Sequence, residues 1–214
     1  AILEHCEGSE SRFAILDSFL TGEHPELKSA NGAIYTPWIK IENHLNPIPP
    51  CGHIAGVYAR SDKEKGVYQA PANYVLEGVV DLSSDYSPTT LTSTNYLRAL
   101  PGRGIRVWGC RTLSDDQNWQ YINVRRLFLT VNRWLELNLE DIAFEPNDFR
   151  LWVRIERQLT AYLESLRQQG ALQGNTSAEA FFVKCDAQTN PASLVKNGQI
   201  VTEIGLAPII PKEF

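Results

Sequence analysis

Four carboxylates, Asp115, Asp116, Glu145 and Asp148, are the side chains whose types and spacing could do chemistry, as a general acid and base pair or as a magnesium cradle for hydrolysis. Their contexts favour another reading. Asp115-Asp116 stands where a helix could start, and Asp148 precedes a long amphipathic run as a helix cap. Pro101-Gly102-Arg103-Gly104 contains a GxG, but it precedes an apolar strand, whereas a dinucleotide fingerprint follows a strand and opens a helix. No P-loop and no GxSxG elbow occurs. Cys6, Cys51, Cys110 and Cys185 make no CxxC pair, and His5, His24, His44 and His53 match no ligand spacing, so reduced, part-buried thiols are expected and a metal site is not. A carboxylate-dependent hydrolase is thus a remote alternative.

A chain of 214 residues can bury a substantial core, and one compact α/β domain is the default. No stretch reaches the apolar length of a membrane span. The first ten residues are polar and acidic, unlike a secretory signal, so a cytoplasmic origin is expected. The net charge of −5 argues against a general nucleic-acid binder. The charge is uneven: Arg98, Arg103, Arg106, Arg111, Arg125 and Arg126 face only Asp115 and Asp116 in the same stretch. Glu4, Glu7, Glu10, Asp17, Glu23 and Glu26 cluster near the start. In a polymer, opposed patches of this kind orient neighbouring copies.

The elements that must position these residues alternate between strand and helix patterns. Strands are predicted over 13–17, over 33–41 with Pro37 as a bulge, over 75–82 and over 105–108. Pro49-Pro50 opens a predicted helix carrying Ile54, Val57 and Tyr58, and Gly66 ends it. Residues 83–94 read as a loop. A helix over 119–138 with Val124, Leu127, Phe128, Val131, Trp134 and Leu135 on one arc leads to a predicted buried strand over 142–144. That makes a strand, helix, strand unit expected to cross over into a parallel region. After Pro146 comes the clearest helix, capped by Asn147 or Asp148 and stopped by Gly170, with Trp152, Ile155, Leu159, Tyr162, Leu163 and Leu166 on its apolar face. Strands over 181–185 and 200–207 complete the pattern.

The block PGRGIRVWGCRTLSDDQNWQYINVRRLFLTVN at 101–132, with IAFEPNDFRLWVRI at 142–155, closely resembles the C-terminal core of contractile tail sheath proteins. TPWI at 36–39, PPCG at 49–52, AGVYARSD at 55–62, APAN at 70–73, AEAFFVKCD at 178–186 and EIGLAP at 203–208 continue the resemblance in order. It implies a mixed, partly parallel sheet flanked by helices, with residues 1–214 as a single core domain lacking the outer domain and terminal arms of a full subunit. It also implies a structural, non-catalytic subunit that polymerises around a tail tube and contracts to drive the tube through a target envelope. The partners implied are other sheath subunits, the tube protein, and baseplate and terminator proteins, with no cofactor, nucleic acid or membrane insertion. Assembly would take place in the bacterial cytoplasm, ahead of a virion tail or a released tail-like particle. In this family a helix of the core lies against the tube's acidic wall, so Arg150, Arg154 and Arg157 are the implied tube-facing residues. Arg98, Arg103 and Arg111, with Glu4 and Glu7, are expected between subunits. A baseplate or cap component on the same core is the alternative.

Overall fold

The computed structural model describes residues 1–9, 11–21, 26–84 and 93–212. The chain divides into two compact units, residues 1–132 with the chain from Ile210 onward, and Arg133–Ile209.

In the first unit four strands form one sheet: β1 (Ala14–Asp17), β2 (Gly32–Thr36), β5 (Thr94–Leu100) and β6 (Gly104–Trp108), in the order β1-β2-β5-β6. The first three run parallel, and β6 returns antiparallel to β5 with Leu97 opposite Val107. β2 is buried at every residue, as an apolar strand covered on both faces should be. A separate antiparallel pair joins β3 (Ile39–Ile41) to β4 (Val79–Leu82). Helix α1 (Ile2–Ser9) lies beside the sheet, where Cys6 is buried and its carbonyl accepts a hydrogen bond from Asn31 Nδ2 at 3.0 Å. Helix α2 (Cys51–Lys65) buries Ile54, Val57, Tyr58 and Ser61. Its apolar side meets Tyr35, Leu97, Val107 and Ile122 in the main core. Gly66, at φ 97°, closes it with its N–H on the carbonyls of Ser61 and Asp62.

Helix α3 (Ile122–Asn138) starts in the first unit and ends in the second. The second unit is built on α4 (Phe149–Gln168), whose N-cap Asp148 accepts from the N–H groups of Arg150 and Leu151. Leu151, Ile155 and Leu159 form its core with Trp134, Leu135, Leu139, Ile142, Val183, Ile200 and Ile204 around them. Trp134 stacks flat on Tyr162 at 4.2 Å between ring centroids. A short helix α5 (Ser177–Ala180), closed by a reciprocal Thr176–Glu179 capping box, leads into β7 (Phe181–Lys184). β7 pairs antiparallel with β8 (Glu203–Leu206), and helix α6 (Ala192–Lys196) lies in the connection.

The mixed, partly parallel α/β class is as expected. Several local expectations are corrected. The single strand over 33–41 is two, because Pro37 has no N–H to donate to a ladder, and β2 and β3 join different sheets. The buried strand over 142–144 is absent. Glu140–Ile142 is a 3-10 turn, and Phe144 is fully exposed at φ 70°. No parallel crossover therefore follows β6. Helix α3 starts at Ile122, not Trp119, so Asp115-Asp116 opens no helix. The 75–82 strand shortens to β4, with only a bridge from Val75 to Arg106. On α4, Leu151 is buried and Trp152 and Tyr162 only half-buried. β5 lies in a stretch whose mixed polar composition carries no strand pattern, and most of the expected 83–94 loop lies outside the described residues.

Candidate interaction surfaces

The carboxylates that could have done chemistry each have a structural partner. Asp115 forms an ion pair with Lys28 at 2.6 Å. Asp116 Oδ1 accepts from the N–H of Asn118, building a local turn instead of a helix. Asp148 caps α4, and Glu145 pairs with Arg154 at 2.8 Å. Among the described residues no group of three or more His, Cys, Asp or Glu side chains could hold a metal ion. All four cysteines are free thiols, with Cys6, Cys110 and Cys185 buried. His24, Glu10 and Glu23 lie outside the described residues.

The three arginines of α4 are not equivalent. Arg150 and Arg157 are exposed. Arg154 is half-buried, tied to Glu145, and its Nε is buried with no hydrogen-bond partner among the described residues. Phe149 and Val153, 64% and 57% exposed, stand on the same helix, and Arg150 lies 5.8 Å from the Phe149 ring. The first turns of α4 thus present a mixed cationic and apolar surface. Leu151, Ile155 and Leu159 on the opposite side hold the helix in the second unit's core.

In the first unit, Arg98 lies over Trp108 at 5.2 Å and Arg111 over Tyr121 at 5.8 Å. Ser29 donates to Glu7 at 2.6 Å. Those three are engaged within the chain, Glu7 while still exposed; Arg103 at the β5–β6 turn is exposed, and so is Glu4 on α1, which pairs with the Ala1 amino group at 3.1 Å. Glu7, Ala30, Asn31, Arg125 and Asn132 line an open cavity of about 380 Å³, in which Arg125 Nε donates to Asn31 Oδ1 at 2.6 Å.

Asn95 marks a position that composition could not rank. Fully buried, it donates to the carbonyls of Ile34 at 3.2 Å and Arg111 at 2.7 Å and accepts from the N–H of Arg111 at 2.7 Å. It ties β2, β5 and the segment after β6 together. Gly109, at φ 155°, leaves room for it, since a Cβ there would sit 2.8 Å from Asn95 Oδ1. Exposed Phe144 is a second residue missed, because its apolar character reads as burial.

Residues 114–214 match the family described as the phage tail sheath C-terminal domain. Over 187 residues the chain is 25% identical to a putative prophage major tail sheath protein of Pseudomonas aeruginosa (strain UCBPP-PA14), covering 82% of this chain and 46% of that protein. Its fold matches a chain of the anti-feeding prophage baseplate with a TM-score of 0.89 at 38% identity, over 94% of this chain and 58% of that one. It matches a chain of an extracellular contractile injection system, the PVC sheath complex in the contracted state, with a TM-score of 0.87 at 34% identity, over 94% of this chain and 62% of that one. The chain therefore spans about half the length of that prophage relative and about three fifths of these two solved chains.

Proposed function

We propose, for a chain that belongs to the contractile tail sheath proteins, that it is a structural subunit which polymerises around a tail tube and shortens to drive that tube through a target envelope. The observation carrying this is the likeness at 34% and 38% identity, over nearly the whole chain, to chains of two contractile injection assemblies. In this reading residues 1–214 act as the sheath core. The mixed surface of α4 contacts the tube through Arg150 and Arg157, with Arg154 held in place by Glu145. An acidic tube wall would match that surface in charge.

Contacts between subunits follow from two further features. β7 and β8 pair only with each other among the described residues, so their outer backbone edges suit an added strand from a neighbouring copy. Arg98, Arg103 and Arg111 on one copy and Glu4 and Glu7 on another offer opposed charge, with Arg103, Glu4 and Glu7 the most exposed members. Sheath subunits, tube, baseplate and terminator proteins are the partners. No bound nucleotide is needed if the extended lattice stores the energy of the stroke. Assembly occurs in the bacterial cytoplasm, and the finished sheath belongs to a virion tail or a released tail-like particle.

A baseplate- or cap-type component is the second reading, favoured by the likeness to a chain in a baseplate assembly. Negative-stain electron microscopy of the native gene product separates the two. Hollow striated cylinders support the sheath; a monodisperse globular product or a terminal disc only would overturn it.

A further inference from the structure

We infer that Asn197-Gly198 is a site of spontaneous deamidation, which slowly places a carboxylate in the turn that is tied to the start of α4. The sequence holds two Asn-Gly pairs, Asn31-Gly32 and Asn197-Gly198. In such a pair the backbone nitrogen of the glycine can attack the asparagine carboxamide carbon, because glycine has no Cβ to crowd the approach. The fold treats the two pairs differently. Asn31 is 3% exposed and both ends of its carboxamide are held: Nδ2 donates to Cys6 O at 3.0 Å, and Oδ1 accepts from Arg125 Nε at 2.6 Å. Gly32, its neighbour, is buried at the start of β2. Asn197 and Gly198 are both exposed at the end of α6, and the Asn197 carboxamide makes no hydrogen bond among the described residues.

The reaction is a loss of ammonia followed by the addition of water. Gly198 N bonds to Asn197 Cγ, the Cγ–Nδ2 bond breaks, and Nδ2 leaves as ammonia with the proton that Gly198 N gave up. Water then opens the five-membered imide at either carbonyl, leaving aspartate or isoaspartate at 197. The turn must open before the attack, since Asn197 lies at ψ 4° and Gly198 N–H donates to Val195 O at 3.0 Å. That opening is local and costs little, because α6 is five residues long and buries none of them. The same movement at Asn31 would disturb β2 inside a four-stranded sheet. The effect on the fold runs through Gln199, whose carbonyl accepts from Asn147 Nδ2 at 2.9 Å, while Asn147 Oδ1 accepts from Trp152 Nε1 at 2.8 Å. A carboxylate at 197 meets the negative end of α6, and isoaspartate adds a methylene to the backbone there. Both products loosen the turn that holds Asn147 ahead of α4.

The test keeps the folded native gene product at mildly alkaline pH in heavy-oxygen water and maps its peptides by mass spectrometry. The heavy label marks only acid formed during the incubation. Labelled aspartate and isoaspartate are expected at 197 several-fold faster than at 31, and more slowly than in the free peptide of residues 194–200, since the folded turn has to open first. Asn197→Gln should remove the labelled product, because its longer side chain cannot close the five-membered ring. Absence of product at 197 once the free peptide has converted, or conversion of Asn31 as fast as Asn197, overturns the inference. Label persisting in that peptide of Asn197→Gln places the reaction at Gln199 and overturns it equally. As a second measurement, hydrogen exchange at 147–152 should rise several-fold as the product accumulates, and unchanged exchange in converted protein would refute the link to α4.

Discussion

Arg126 holds Asp62 through two parallel hydrogen bonds, Nη1 to Oδ1 at 2.9 Å and Nη2 to Oδ2 at 2.6 Å, joining α3 to α2. Its guanidinium also covers the Tyr58 ring at 4.7 Å, and the Tyr58 hydroxyl meets that of Tyr35 at 2.8 Å. Both partners of the ion pair are largely removed from water. Asp62→Ala strands the cation, so a loss of about 2–4 kcal/mol is expected in urea unfolding. A change below about 0.5 kcal/mol would place the pair with ordinary surface ion pairs.

Asn95 makes three hydrogen bonds in a site with no solvent to replace them. Asn95→Ala is expected to cost about 2–4 kcal/mol by leaving backbone groups unpaired. Gly109→Ala should also destabilise, since the new Cβ meets Asn95 and the left-handed side of the map disfavours it. Thermal melts of the two variants and their double mutant test the coupling. Strict additivity would mean that the two residues do not act on one another.

Glu164 is pushed down to about 2 from its ordinary 4.5 by the Arg167 guanidinium, with Ser177 Oγ donating at 2.9 Å and Gln168 adding to it. A carboxylate depressed in the folded state stabilises fully above its unfolded value and loses that contribution as pH falls through about 2. The melting temperature of the wild type should therefore fall more steeply between pH 4.5 and 2 than that of Glu164→Gln. Parallel curves would show that the carboxylate contributes nothing to folding. Because Ser177 begins α5, hydrogen exchange at 177–180 should rise in the variant.

Arg150 and Arg157 should be separable from Arg154 by stability. The exposed pair, replaced by Glu, should change unfolding by no more than about 0.5 kcal/mol while abolishing co-sedimentation with an acidic tube. Arg154→Ala also breaks the Glu145 contact and should lower stability measurably. Retained tube binding by the Arg150→Glu, Arg157→Glu variant would refute the tube-facing role of α4.

Leu159 is fully buried at the centre of the second unit's core. Leu159→Ala is expected to cost about 2–5 kcal/mol, read by chemical unfolding. The exposed Val153→Ala on the same helix should cost far less, and equal losses would contradict the orientation of α4.

Helix α4 was legible in the sequence because its signals are local: a capping Asp148, apolar residues at helical spacing, and Gly170 beyond its end. α2, β1, β6, β7 and β8 were legible for the same reason, as was the mixed α/β class, and ordered motif blocks carried the family resemblance. What the tertiary structure decided depends on partners distant in sequence. β5 has weak local character and becomes a strand because β2 and β6 pair with it on either side. The 33–41 run is one apolar pattern, yet its halves bond to different strands. Phe144 has the composition of a core residue and stands in solvent, while Ile142, partly buried, is the residue of that turn that packs against the second unit's core. Arg150, Arg154 and Arg157 share one spacing, but only Arg154 finds Glu145. Residue type and period determine which face of an element is apolar; which edges pair and which side chains remain for a partner is decided by hydrogen bonds and contacts that form only when distant segments meet.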